Sequence, residues 1–318
     1  MVATLAAATF AFLCIQLAPG DPITALGEGV PEVVRERLRA VYGYDAPMGV
    51  QYLRWLGATA QGDFGWSTSQ NRPALDVVLE ALPNTLWVVI PGLVFGVGGG
   101  MLLGAWQGIH ARRTRDRVAS IATFVVYALP EFALGLGLLL LFSVWWPILP
   151  SGGMTSDLYA YLSPGQQVVD RLRHLVLPSL VIALVDGAML ARYQRQSMRD
   201  ALDEPFVQAA HGNGLSPSRV HWQAWRASLL PVLSVVGVLV PMNLLGVVFV
   251  EQTFGWPGLG LALFGAINAR DYAVVAACVV LQGVTIAITT TAVDLLREAA
   301  DPRLRRTEYR HGAMEGAR

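Results

Sequence analysis

The sequence predicts an all-α integral membrane protein with six transmembrane helices, a small extracytoplasmic cap and a short cytoplasmic helix. Of its 318 residues, 54% are hydrophobic and only 14% are charged, whereas about 25% of the residues of a soluble domain are charged. Apolar runs near the roughly 20 residues that cross a bilayer recur along the chain. Arginines gather in every second connection between these runs.

The apolar runs define the predicted spans, at about residues 2–17, 85–107, 118–146, 175–191, 229–250 and 274–296. Because Ala18-Pro19-Gly20 is a poor match to a signal-peptidase site, we interpret the first run as a true span rather than a cleaved signal peptide. No linker, repeat or low-complexity tract divides the chain, so we expect a single membrane domain over residues 1–318.

The positions of the arginines predict the topology. They crowd the segments after the second, fourth and sixth spans: Arg112, Arg113, Arg115, Arg117, Arg192, Arg195, Arg199, Arg219, Arg226, Arg297, Arg303, Arg305, Arg306, Arg310 and Arg318. The remaining segments hold more carboxylates than arginines. Arginine-rich short loops stay in the cytoplasm, so we expect both termini inside.

The outer segment of residues 19–83 is too long for a simple turn and predicts the cap. Val34, Leu38 and Val41 fall on one face of a short amphipathic helix at 31–42. A second helix is predicted at 50–56, and Gly62-Asp63-Phe64-Gly65 then interrupts the pattern.

The residue types exclude several function classes. All 23 basic residues are arginine, and without a lysine the chain has neither an ATP-binding P-loop nor Schiff-base chemistry. The zero net charge gives no basic field for nucleic acid. Cys14 and Cys278 lie inside apolar spans and are expected to be small buried hydrophobes. The five histidines lack metal-ligand spacing, so we assign no metal site.

Polar side chains within the spans predict a translocation path. They are Glu131, Asp186, Asn243 and Gln282, and polar groups at membrane depth usually face the bundle interior or a water-filled path. Asp186 is the first candidate, because its nearest expected partner, Arg192, is nearly two turns away. The alternative is that Asn243 and Gln282 hold helices together and that Glu131 lies near an interface.

The segment from Glu251 to Tyr272 is rich in glycine and proline, which predicts a non-helical loop or re-entrant turn that helps close the outer mouth. Its candidate residues are Glu251, Phe254, Trp256, Pro257 and Gly258. Trp256 is expected to be an anchor at the membrane interface. The alternative is a plain loop that carries an aromatic-belt tryptophan.

The inner segment 203–231 predicts a capped helix of two to three turns. Asp203 is a good N-cap, Pro205 suits a first turn, and Gly212 and Gly214 end the helix, with Gly214 at positive φ. Phe206, Val207 and Ala210 are expected to share one side. Residues 203–214 contain no arginine, so docking into a protein groove is favoured over an interfacial membrane helix.

Six segments together resemble a known family. They are Leu17-Ala18-Pro19-Gly20-Asp21-Pro22; 50–56 with 62–65; Arg72-Pro73 with Leu82-Pro83-Asn84-Thr85-Leu86; the inner segment with Gln208-Ala209-Ala210, Gly214 and Leu229-Leu230-Pro231; 251–272; and Asp301-Pro302-Arg303. In this order the chain resembles permeases of the dipeptide/oligopeptide/nickel class of ABC importers, specifically the first of their two membrane subunits. The inner segment resembles their EAA loop, with Gln208 in place of the glutamate.

The resemblance implies a non-catalytic transport subunit in a bacterial plasma membrane. Its expected partners are a second homologous permease, two ABC ATPases that use ATP and Mg²⁺, an extracytoplasmic substrate-binding protein and lipid; this chain itself binds no cofactor. The inner segment would be a coupling helix that contacts an ATPase, with Asp203, Phe206, Gln208, Ala209, Ala210, Gly214 and Leu215 as its residues. The binding protein would dock on residues 20–83 and 254–272.

Two other function classes are weaker alternatives. A secondary transporter or channel driven by an ion gradient predicts internal symmetry, broken helices with paired ionisable groups, or a selectivity filter. The sequence shows one isolated aspartate and no repeat. A membrane enzyme is more distant still, because no nucleophile–base or metal constellation falls at one membrane depth.

Overall fold

The computed structural model describes residues 5, 8, 9, 12, 13, 16 and 46–300. Most of the predicted first span, the predicted helix at 31–42 and the arginines after residue 300 lie outside the described residues.

The described chain is helical apart from one small hairpin. In order, its elements are α1 (Met48–Ala60), β1 (Trp66–Ser67), β2 (Arg72–Pro73), α2 (Ala74–Ile109), α3 (Thr114–Ala128), α4 (Glu131–Leu139), α5 (Pro164–Asp203), α6 (Pro205–Gly212), α7 (Pro217–Gly246), α8 (Val248–Phe254), α9 (Leu259–Asn268) and α10 (Tyr272–Ala300). The two strands are antiparallel, with Trp66 opposite Pro73. A π-helical segment, Leu140–Trp145, continues α4, and a 3₁₀ turn forms at Tyr159–Tyr161. The helix predicted at 50–56 lies within α1.

Among the described residues, four helices are long and apolar enough to cross a membrane: Ala74–Ile109, Pro164–Asp203, Pro217–Leu244 and Tyr272–Val293. They coincide with the second, fourth, fifth and sixth predicted spans. The third predicted span, 118–146, differs: its two halves, Thr114–Ala128 and Glu131–Trp145, meet at an angle of 105°.

The bend in the third span has a local cause at Leu129-Pro130. Leu129 adopts an extended conformation, with φ −78° and ψ 134°. A proline disfavours helical geometry in the residue before it and has no N–H to donate. The expectation of one continuous helix over 118–146 is therefore wrong. The Leu129-Pro130 pair in the sequence was sufficient to predict a break there.

The chain divides into two compact units. The first comprises Met1–Trp87 and Val247–Ala287, and the second comprises Val88–Gly246 and Ile288–Arg318. The first unit has an apolar cluster drawn from three helices: Ala74, Val77, Val78, Ala81, Leu259, Ala266, Val274, Ala277 and Cys278. Cys278 is a buried free thiol, as predicted.

The second unit is built on a close approach of α2 to α5. Gly92, Gly96, Gly100, Gly104 and Gly108 recur at every fourth position of α2 and face α5. A Cβ at Gly104 would lie 2.4 Å from the carbonyl oxygen of Ala191. Only glycine permits this backbone contact, and small residues four apart are a common interface between membrane helices. This spacing is readable in the sequence, but it was not used to predict the pairing of α2 with α5.

Candidate coupling, path and outer-turn sites

The predicted inner helix exists as α6, but it begins one residue later than expected. Asp203 is the last residue of α5, and the N-cap of α6 is Glu204, whose side chain makes no capping hydrogen bond. Glu204 is extended, with φ −70° and ψ 147°, because it precedes Pro205. The prediction that Asp203 caps the helix is therefore wrong.

The two faces of α6 have different environments. Val207 and Ala210 are buried in an apolar cluster with Met198 and Ala201 of α5 and Val220 and Ala224 of α7, and Leu215 packs against it. Phe206 is 40% exposed, and Gln208 and Ala209 are also exposed. Phe206 is four positions before Ala210 and lies at the edge of this face, where α5 and α7 cover it only in part. Ala210 is covered by its own chain, whereas Phe206, Gln208 and Ala209 are open to a partner, as are Asp203 and Gly214 at the two ends of the segment.

Gly214 ends this segment with φ +74°, which confirms the predicted left-handed conformation. The N–H of Leu215 donates to the carbonyl of Ala210 at 3.1 Å, and the N–H of Gly214 donates to the carbonyl of His211 at 3.0 Å. No atom lies within 4 Å of the position that a Cβ of Gly214 would occupy. The need for glycine here therefore comes from the backbone rather than from crowding.

Asp186 and Asn243 meet in the second unit. The Nδ2 of Asn243 donates to Oδ2 of Asp186 at 2.8 Å and to the carbonyl of Leu239 at 3.0 Å. Asp186 is 6% exposed. The expectation that Asp186 has no close partner is wrong, because α5 and α7 pack together and bring an amide to it. Arg192 lies instead over the ring of Tyr127, 5.3 Å from its centroid.

The four predicted path residues are divided between the two units. Glu131 is half-buried in the first turn of α4, in the second unit with Asp186 and Asn243. Gln282 is buried in α10 and belongs to the first unit. Asp186 and Asn243 share a hydrogen bond with each other.

Glu251 organises the turn between α8 and α9 in the first unit. Its side chain is fully buried. Oε1 accepts the hydroxyl of Thr85 at 2.6 Å, and Oε2 accepts the N–H of Leu261 at 3.0 Å. The Thr85 oxygen also accepts the N–H of Leu259 at 2.7 Å. The two side chains thus satisfy N–H groups in the first turn of α9, which a helix leaves unpaired at its start.

The residues around this turn are packed within the protein. Trp256 is 2% exposed, and its Nε1 donates to the carbonyl of Asn84 at 2.8 Å. The Nδ2 of Asn84 donates to the carbonyl of Pro257 at 2.9 Å. Phe254 is also buried, and a Cβ at Gly258 would overlap the Glu251 carboxylate. Trp256 is therefore not an aromatic-belt anchor, because its indole N–H is bonded inside the fold.

The segment is also more helical than predicted. The expected non-helical loop is instead α8, a short turn and α9. Gly255 ends α8 with φ +59°, and the Glu251 and Thr85 bonds to the first turn of α9 allow a new helix to begin within a few residues.

Asp271 is a buried polar residue to which sequence reasoning gave no role. Its Oδ2 accepts the hydroxyl of Ser67 at 2.6 Å and the N–H and hydroxyl of Ser69 at 3.0 and 2.7 Å. It is 1% exposed and immediately precedes α10. The partners lie about 200 positions away in sequence, at the β1–β2 hairpin, so local sequence gave no signal for this contact.

Comparison with known proteins identifies the class of this membrane fold. Residues 100–306 match the family described as "Binding-protein-dependent transport system inner membrane component". The chain belongs to this family. It is therefore a permease subunit of a binding-protein-dependent ABC importer, as the resemblance implied, and not an ion-gradient-driven transporter.

Relatives match this permease along most of its length. The oligopeptide transport system permease protein AppB of Bacillus subtilis is 33% identical, over 92% of each chain. The di/tripeptide transport system permease protein DppB of Pseudomonas aeruginosa is 34% identical, again over 92% of each chain. The glutathione transport system permease protein GsiC of Salmonella paratyphi A is 31% identical, over 95% of this chain and 94% of the relative. The permease is a multi-pass protein of the plasma membrane, and its class is that of transport subunits rather than enzymes.

Proposed function

We propose that this permease is one of two homologous membrane subunits that together form the pathway of an importer for short peptides. The names of its relatives support this substrate class, since they specify oligopeptides, di- and tripeptides and glutathione. Separate ATPase subunits hydrolyse ATP with Mg²⁺ in the cytoplasm, and an extracytoplasmic binding protein delivers the peptide. Uptake of labelled dipeptides with the cognate binding protein tests the substrate class; uptake of a nickel chelate but no peptide would overturn it.

The observation that carries the coupling proposal is the two-sided packing of α6. Its inner face is fixed in the apolar cluster between α5 and α7, while Phe206, Gln208 and Ala209 point away from the chain. A short helix held on one side and open on the other is suited to enter a groove on a partner. We assign this open face to the ATPase, with Gly214 directing the chain from α6 into α7.

Substitution of Gly214 tests the coupling assignment. Gly214→Val forces a β-branched residue into a left-handed conformation, so we expect the subunit to insert and assemble but uptake to be lost. Gly212→Ala is the matched control, because Gly212 lies inside α6 and a Cβ there would also meet no atom within 4 Å. An Ala209→Cys variant should crosslink to a cysteine at the ATPase groove. Normal uptake by Gly214→Val, without any crosslink, would remove the assignment.

We further propose that the chain has six spans with both termini in the cytoplasm, and that the hairpin and the 251–272 segment lie outside. We also propose that Asp186 and Asn243 lie beside the peptide path. Single cysteines at Thr68 and Ser218, in a background lacking Cys14 and Cys278, test the orientation with an impermeant reagent. Thr68 should react in intact cells and Ser218 should be protected; the reverse would contradict the topology.

Glu131 and Gln282 remain candidates for the peptide path beside Asp186. Asp186→Asn should lower uptake without loss of assembly.

We propose that the outer segment supplies the rigid base of an outer gate or binding-protein docking surface. The residues of this base are Glu251, Phe254, Trp256, Pro257 and Gly258. Their buried, hydrogen-bonded side chains support a positioning role rather than direct contact with a partner. Binding-protein affinity of the assembled complex tests this proposal. It should fall when the base is disrupted by Gly258→Val, and an unchanged affinity in a folded Gly258→Val complex would remove the outer segment from docking.

A further inference from the structure

An ion pair joins α3 to α5 outside the sites described above. Asp116, in the first turn of α3, is 1% exposed. Its Oδ1 accepts the Nε of Arg195 and its Oδ2 accepts a terminal guanidinium nitrogen of the same residue, both at 2.7 Å. Oδ2 also accepts the backbone N–H of Arg112 at 3.0 Å, at a residue with φ +69°. A bidentate arginine–carboxylate pair fixes direction as well as distance.

The Asp116–Arg195 pair lies at a turn of α5, residues 194–198, that three other helices contact. Next to Arg195, Gln194 donates to the hydroxyl of Ser228 in α7 at 2.7 Å, and the hydroxyl of Ser197 donates to the Ser228 carbonyl at 2.9 Å. From α2, a Cβ at Gly108 would lie 2.7 Å from Cβ of Met198. Residues 194–198 of α5 are thus held by α2, α3 and α7 together.

This turn is directly connected to the coupling helix. Five residues after Met198, α5 ends at Asp203, and α6 begins at Pro205. Met198 also belongs to the apolar cluster that buries Val207 and Ala210 of α6. A displacement of α6 would therefore act on residues 194–198 through this cluster. Apolar side chains can slide past one another when a helix moves. A bidentate arginine–carboxylate pair is planar and directional, so it would pass both translation and rotation of one helix to the other.

We propose that Asp116 and Arg195 are positioning residues that pass the displacement of the coupling helix from α5 to α3. The inference rests on the proposed function of α6. It predicts that the pair sets the amount of peptide transported per ATP hydrolysed, rather than only holding the fold.

The decisive variant is Arg195→Lys, which keeps the positive charge but loses the planar fork. The matched control is Arg192→Lys, one turn earlier on α5, where the exposed guanidinium lies over Tyr127 of the same α3 helix. Each variant is reconstituted in liposomes with the partner permease, the ATPases and the binding protein. In Arg195→Lys we expect normal assembly and peptide transport per ATP reduced by about tenfold, a typical size for coupling between sites. Arg192→Lys should behave as the wild type.

A double-mutant cycle separates transmission from stability. Asp116→Asn and Arg195→Gln should each lower transport per ATP, and the double variant should lower it by less than the product of the two, because residues in one interaction are not additive. Wild-type transport per ATP in Arg195→Lys and Asp116→Asn would overturn the inference. So would failure of Arg195→Lys to accumulate while Arg192→Lys accumulates normally, since the pair would then be a folding requirement.

The same preparations distinguish this inference from the function on which it rests. If the wild-type complex does not transport, or if Gly214→Val transports normally, the proposed function fails. If Gly214→Val is uncoupled while Arg195→Lys is not, the coupling helix stands and only the role of the ion pair is lost.

Discussion

The turn around Glu251 in the first unit, proposed to face outward, and helix α6 in the second unit, proposed to couple to the ATPase, use polar and apolar side chains in opposite ways. Around Glu251 the polar groups are buried and bonded, with Thr85 and Trp256 among them. On α6 the polar Gln208 is exposed, and so is the large apolar side chain of Phe206.

This difference supports the proposal that the turn around Glu251 positions the backbone and that α6 contacts a partner. A buried carboxylate that accepts several donors fixes the backbone around it, because each bond would be costly to leave unmade. A partly exposed aromatic side chain on a short helix gains further energy when a partner covers the rest of its surface. We therefore expect substitutions in the outer turn to change stability, and substitutions on the open face of α6 to change transport.

The largest stability effect should come from Glu251→Ala. The substitution leaves the Thr85 hydroxyl and the Leu261 N–H buried without their acceptor, at about 2–5 kcal/mol in total. Thermal unfolding of the purified permease in detergent measures the loss. Glu251→Gln keeps the shape and one acceptor oxygen and should lose less. A Glu251→Ala protein as stable as the wild type would show that the turn does not depend on this carboxylate.

A smaller loss is expected at the Asp186–Asn243 contact, where a single amide serves a buried carboxylate. Asn243→Leu removes the donor to Asp186 and should cost about 1–2 kcal/mol, as for other hydrogen bonds between membrane helices. Met242→Leu, at the exposed neighbouring position, is the control. If both variants unfold at the same temperature as the wild type, the contact does not stabilise the pairing of α5 with α7.

Trp256→Phe should cost about 1 kcal/mol, because it removes one hydrogen bond and leaves the Asn84 carbonyl without that donor. Trp222→Phe is the control, since Trp222 is 56% exposed and lies on α7. The comparison also tests the corrected role of Trp256. An interfacial anchor would respond to the composition of the lipid, whereas a buried hydrogen bond would lower stability equally in detergent and in bilayers.

The local pattern of the sequence was enough for part of this structure. Hydropathy located four long helices, and residues 203–214 predicted a short helix that ends at a left-handed glycine. The break at Leu129-Pro130 and the glycine spacing of α2 were also visible in the sequence. These features depend on neighbours within a few positions, where residue type acts directly on the backbone.

The rest depends on contacts between distant segments. Thr85 and Glu251 are 166 positions apart, and Ser67 and Asp271 are 204 apart. No local rule pairs a hydroxyl with a carboxylate over such a separation, so the sequence showed that Glu251 and Trp256 were notable but not that they are buried. The extent to which Phe206 is exposed could not be predicted for the same reason, because the packing of α5 and α7 decides how much of each side chain of α6 is covered.

Phe206→Ala should have the smallest effect on stability. It is also the most direct test of the difference between the turn around Glu251 and α6. Because Phe206 is exposed, its loss should change the free energy of unfolding by no more than about 0.5 kcal/mol. Peptide uptake and the crosslink from Ala209→Cys to the ATPase should both decrease, because the side chain would otherwise be covered in the complex. Val207→Ala is the matched control on the inner face: it should lower stability by about 1–3 kcal/mol through the cavity it leaves. If Phe206→Ala lowers stability and leaves uptake intact, the two faces of α6 have been assigned the wrong way round.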